Sequence, residues 1–279
     1  MPGINTTGVP SVDEYSFGGG IIYLASLDAN GYPKDFRDVG NTSEFTSSIS
    51  SESLDHYSTR AGLRTKDATV TIQTDASVAF TLDNINMNNL ALFFSGTTNT
   101  FTNPAIAGLT ATQFVQDGNL KVNAWYQLRV GTSPVFGITT TNAMVITTTE
   151  TVPVTLTKGT DYTVDAVTGM VFILSTDETL AAIAAGKGLK FTLTADAAAT
   201  TVDQLKIMAD TQATVALRFK KIDASTGKVD IYDFRSVVLS ANGDFSLISE
   251  EWAGLPLTGS VEKSDAYDNV ADMYVPVKQ

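Results

Sequence analysis

From Thr69 to Thr81 apolar and polar residues alternate almost without a break. Val70, Ile72, Val78, Phe80 and Leu82 fall on one side, and Thr69, Thr71, Gln73, Asp75, Ser77 and Thr81 on the other. Side chains alternate across a β-strand, so the stretch predicts one long two-faced strand, roughly 45 Å at about 3.3 Å per residue. One face asks for a core and the other for water. At an open edge such a strand would leave many backbone groups unpaired, so it is expected inside a large sheet, completed by other subunits where one chain supplies too few strands.

Composition narrows the class. The 279 residues suffice for one large all-β domain, or for a core with a smaller inserted unit. The absence of cysteine excludes a disulfide framework and thiolate chemistry, and the single histidine, His56, excludes clustered imidazole metal sites. A carboxylate Ca²⁺ site stays open. The formal charge of −12 argues against tight binding of a phosphate backbone, though not against a surface that nucleic acid slides past. No apolar run reaches the roughly 18 residues of a transmembrane helix, and the first residues lack a basic region followed by an apolar core. No membrane insertion and a cytoplasmic origin are therefore expected. Abundant Thr, Ser, Ala and Gly suit strands and turns, so the expected class is all-β with one or two short helices.

Taken in order, residues 1–17 read as a polar N-terminal arm without its own core. Gly18 to Gly20 read as a hinge into the strand IIYLASLD, Ile21 to Asp28, and Phe36 to Val39 as the returning strand after the Asn30-Gly31 turn. Ser43 to Ser51 reads as a strand that meets the long one across a loop, Glu52 to Asp67, which carries His56, Arg60, Arg64 and Lys66. Loops of that length are commonly functional or reach a partner, and the three cations Arg60, Arg64 and Lys66 in an acidic chain are assigned to salt bridges with an acidic neighbouring subunit. Asp83 to Gly96 reads as a short capped helix.

Charge density then falls, and nine of the nineteen residues from Thr139 to Thr157 are threonine. Residues 100–199 read as an inserted small β module, with strands in Trp125 to Val130, Val152 to Leu174 and Leu189 to Ala195. Its short helix is expected to open on a Ser175/Glu178 capping box. Asp161 and Asp165 lack calcium-loop spacing and read as turn formers. The flanking segments, 18–99 and 200–279, form the core. Its last third is expected to be a meander of Thr214 to Ile222, Val229 to Leu239 and the segment FSLISEEW.

Catalytic signatures are missing. The sequence has no phosphate loop, nucleophile elbow or zinc spacing, and Gly18 to Gly20 lacks the basic residue and following helix that phosphate binding requires. Glu250 and Glu251 would point to opposite faces of a strand. His56, without a nucleophile partner, reads as a loop residue making one hydrogen bond. Neither an enzyme nor a cofactor or metal site is expected.

Several segments, in order, resemble the tail tube proteins of long-tailed bacteriophages. They are LASLDANGYPKDFRDVGNTSEF, the E-x-L-x-H-Y run within SLDHYSTRAGLRTKDATVTI, the D-x-x-N-x-x-N-L-A-x-x-x-x-G pattern of FTLDNINMNNLALFFSG, and EEWAGLPLTGSV. The resemblance covers roughly the first hundred and last sixty residues. It implies a β-sandwich or barrel-like subunit forming hexameric rings that stack into a tube, through whose lumen DNA passes during ejection. It also implies a place in the virion tail after assembly in the host cytoplasm. The implied partners are tape measure, baseplate or tip, and terminator proteins, with a sheath in a contractile tail. On this reading Glu44, Thr71, Gln73 and Asp75 face the lumen, while His56, Arg60, Arg64 and Lys66 make contacts between subunits or rings. Three other classes compete: the inner tube of a contractile injection system, an Ig-like bacterial surface or adhesion protein, and a glycan-binding or glycan-cleaving β protein.

Overall fold

The computed structural model describes residues 17–60, 62–102, 109–138, 144–193, 201–210 and 212–276, so the proposed arm, apart from Phe17, lies outside the described residues. In chain order the elements are β1 (Gly18–Leu27), β2 (Pro33–Asp38), β3 (Thr42–Ser58), β4 (Thr65–Leu82) and α1 (Met87–Phe93). Then come β5 (Thr97–Thr102), β6 (Leu109–Val115), β7 (Ala124–Gln127), β8 (Arg129–Val130), β9 (Ser133–Pro134) and β10 (Met144–Thr148). They are followed by β11 (Thr155–Leu156), β12 (Tyr162–Asp165), β13 (Met170–Ile173), α2 (Asp177–Ala184), β14 (Leu189–Leu193) and β15 (Thr201–Lys206). The chain closes with β16 (Ala213–Asp223), β17 (Val229–Ala241), β18 (Leu255–Val261) and β19 (Ala271–Tyr274). The fold is all-β, with two short helices among the described residues.

The chain divides into two compact units, one of residues 1–98 and 205–279, the other of residues 99–204. The first unit holds one antiparallel sheet in the order β2-β1-β16-β17-β18-β4-β3, with β19 added beside β17. Ile22, Leu24, Val78, Phe80, Leu217, Val237, Leu239 and Leu257 fill its core. The sheet curls: Phe45 of β3 stacks on Phe219 of β16 at 4.4 Å, although three strands separate the two in the sheet order. The β1–β2 turn is held by the Asp28 carboxylate, which accepts from the Asn30 and Tyr32 amides at 2.8 and 2.9 Å.

The helix α1 follows from the D-x-x-N-x-x-N pattern. Asn86 caps it by accepting from the Asn89 amide, 2.9 Å. Asn89 is fully buried yet satisfied: its amide nitrogen donates to the Val39 and Asn84 carbonyls and its oxygen accepts from Arg37. Gly40 sits beside this cluster at φ +91°, where an added Cβ would lie 2.5 Å from Asn84 Oδ1.

The second unit has its own core, built on Leu128, Ile146, Tyr162, Ile173, Leu189 and Phe191. A four-stranded sheet, β11-β10-β14-β6, and a three-stranded one, β12-β13-β7, supply it, and β14 alternates buried and half-buried residues along its length. The pair β5 and β15 carries the chain out of the first unit and back.

Four expectations need correction. Glu52 to Asp67 is mostly strand, not loop: β3 and β4 stay paired as far as Ser58↔Thr65. Ser, Asp and Glu at the end of β3 suggest a loop, but cross-strand pairing overrides the low propensity. Second, FSLISEEW forms no strand; the place beside β17 goes to Leu255–Val261, which buries every second residue. Third, α2 is capped one residue later than expected, by Thr176 and Thr179, because Thr176 Oγ1 also donates to Asp161 at 2.7 Å. Fourth, Val70 and Ile72 belong to no core; they are 61 % and 57 % exposed.

Candidate assembly surface

That last correction identifies the most unusual feature of the first unit. β4 pairs with β18 only from Ala76 to Leu82. From Asp75 outward its partner among the described residues is β3 alone, so the 17-residue β3 and 18-residue β4 extend past the sheet as a two-stranded ribbon. Such a ribbon is marginally stable by itself in water, and β3 is the last strand in the sheet order, with one side of its backbone open among the described residues.

Its register explains the exposure. Between Glu44↔Thr81 and Glu52↔Gln73 the alternation is regular. One face carries Glu44, Thr46, Ser48, Ser50 and Glu52 opposite Thr81, Ala79, Ser77, Asp75 and Gln73, and Gln73 Nε2 donates to Asp75 Oδ2 at 2.7 Å. The opposite face carries Phe45↔Phe80 at the core and Ile49↔Ala76 further out. A register shift after Glu52 then leaves Ile72 without an opposite residue, and Leu54 pairs with Val70 beyond it. Of the four lumen candidates, Glu44, Gln73 and Asp75 share a face and Thr71 lies past the shift, opposite Ser53. Ile49, Leu54, Val70 and Ile72 are left exposed along the ribbon.

The basic residues divide. His56 Nδ1 lies 2.5 Å from Asp67 Oδ1, and Lys66 Nζ 2.6 Å from Asp55 Oδ1. The hydrogen bond from Lys66, helped by one from the Thr69 hydroxyl, holds the Asp55 carboxyl below the usual carboxylate range. Both side chains are thus engaged inside the ribbon. Arg64 lies over the Tyr57 ring at 5.8 Å, a contact that keeps its charge, and Arg60 has no carboxylate partner among the described residues. At the tip both stand beside exposed Leu63.

A second exposed segment escaped sequence reading. After β17, Phe245 packs edge-on against Phe93 and Phe94 of α1. The chain then presents Leu247, Ile248 and Trp252 at 84 %, 95 % and 103 % exposure, among exposed Asp244, Glu250 and Glu251. Its signal was the loss of strict alternation in F-S-L-I-S-E-E-W, where two apolar and two acidic residues stand side by side.

Among the described residues no three His, Cys, Asp or Glu side chains are grouped to hold a metal ion. Asp161 accepts from the Thr157 amide and the Thr176 hydroxyl, and Asp165 from the Val167 amide, so both organise turns. No helix of the described residues is long and apolar enough to cross a membrane.

Fold and surface together define an all-β protein of two units with a projecting, partly apolar edge hairpin. A family profile described as Protein of unknown function UCP028589 matches residues 15–273, and the chain belongs to that family. No curated protein matches it.

Proposed function

We propose that this chain is a structural protein that assembles with copies of itself into rings stacked as a tube, in the manner of the phage tail tube proteins its segments resemble. The observation that carries this reading is the β3–β4 ribbon, which exposes Ile49, Leu54, Val70 and Ile72 and an open strand edge. Apolar side chains and unpaired backbone groups on one projecting element favour a protein partner, and a neighbouring copy supplies both apolar cover and strand pairing. The polar face bearing Glu44, Gln73 and Asp75 then lines the channel. With a charge of −12 per chain, a six-membered ring carries roughly 70 negative charges, which repel DNA from the wall and let it pass without sticking. The setting is the virion tail, with the other tail proteins as partners.

Negative-stain electron microscopy of the purified chain, with light scattering over a concentration series, tests this. Rings or tubes with a central hole are expected, and Leu54→Asp with Val70→Asp should abolish them while leaving the circular dichroism spectrum intact. Monomers at every concentration, or tubes indifferent to both substitutions, would overturn the reading.

A further inference from the structure

The hairpin tip and the acidic segment 242–254 have opposite charge, each with exposed apolar side chains. The tip offers Arg60, Leu63 and Arg64, and the acidic segment offers Glu250, Glu251 and Trp252. Within one chain they lie at opposite ends of β4. Leu255 pairs with Leu82, which fixes the acidic segment at the base of the hairpin, whereas the pair Ser58↔Thr65 marks its far end. Eighteen strand residues separate the two, roughly 55 Å at about 3.3 Å per residue. While β3 and β4 stay paired, one copy cannot bring its own tip to its own acidic segment, but a second copy displaced along the hairpin axis can.

Building on the assembly reading above, we infer that the Arg60/Leu63/Arg64 tip of one copy docks on the Glu250/Glu251/Trp252 segment of another. The occupant is a second copy of this chain, selected by charge complementarity in an otherwise acidic molecule. Trp252, wholly exposed in the free chain, is the anchor: aromatic residues bury large areas at interface centres, ringed by charge pairs that set orientation. A tip-to-base contact joins two different surfaces, so it repeats. It closes a ring if the copies are rotated and builds a stack if they are translated.

Charge reversal tests the pairing, with pelleting and electron microscopy as readouts. Arg60→Glu with Arg64→Glu, and separately Glu250→Arg with Glu251→Arg, should each cut the pelletable fraction about tenfold, the size of effect expected for interfacial charge pairs. All four changes in one chain should restore it, and Trp252→Ala should lower it with all charges in place. The substituted positions are exposed, so the circular dichroism spectrum of each variant should match that of the wild type. A wild type that assembles regardless of these charges, or a fourfold variant that stays dispersed, overturns the pairing and leaves the assembly reading standing. A wild type that never assembles sinks both.

Discussion

Asn89 is the residue on which the join between α1 and the sheet turns. Its side chain spans three segments, accepting from Arg37 on β2 and donating to Val39 after β2 and to Asn84 before the helix. Removing it leaves a buried carbonyl and a guanidinium N–H without partners, which costs more than the bonds themselves contribute. Asn89→Ala should lower stability by about 2–3 kcal/mol in urea titration. Asn86→Ala, which loses only a cap, should cost about 1 kcal/mol. Equal effects would count against the bridging role. The D-x-x-N-x-x-N spacing made the cap legible in the sequence, since Asn is a preferred capping residue. It did not reveal that the second Asn turns inward, because burial of an amide depends on which carbonyls the fold brings to it.

At the scale of elements, the long strand was readable and its surroundings were not. Alternation from Thr69 to Thr81 identified β4, and Val78, Phe80 and Leu82 do bury. The same two-residue count failed at Val70 and Ile72, because a register shift opposite Ile72 breaks the ladder and no third strand among the described residues extends that far. A sequence pattern records which side chains would match a core, but not whether the chain brings one to them. Likewise the Asn242-Gly243 signal marks a turn, yet the returning strand starts at Leu255, after a segment in which Phe245 packs on α1 while Leu247, Ile248 and Trp252 stay exposed. The ribbon's dependence on a single ladder makes a dynamic prediction. In hydrogen exchange on the dispersed chain, amides of Thr65 to Asp75 should exchange at least ~100-fold faster than those of β16 and β17, which are paired on both sides. On assembly their protection should rise. Uniformly slow exchange in the dispersed chain would show that the ribbon needs no partner.

For the whole molecule, the governing fact is that each unit has its own core. The threonine-rich change in composition drew attention to the middle of the chain, but periodicity alone could not tell how its short strands pair. Independent cores predict independent folding. A chain with residues 100–199 replaced by a short Gly/Ser linker should keep a cooperative thermal transition and still form rings, as measured by calorimetry and electron microscopy. In the full chain, Phe191→Ala should lower only one of two transitions, by about 3–5 kcal/mol. Loss of both transitions together would reveal a single cooperative body.

The open edge of β3 bears on fidelity as well. Its ladder with β4 is interrupted by register shifts after Thr42, Glu52 and His56, where the extra residue is Ser43 on β3 and Ile72 and Asp67 on β4, so the hairpin changes its bend and twist along its length instead of running uniformly. An incoming strand that slips by one residue turns its side chains to the wrong face along its whole length, and one that cannot follow the changes of bend and twist falls out of step where they occur. The edge therefore works like a key cut: adhesive enough to invite any extended chain, yet shaped so that only a strand with the matching profile stays.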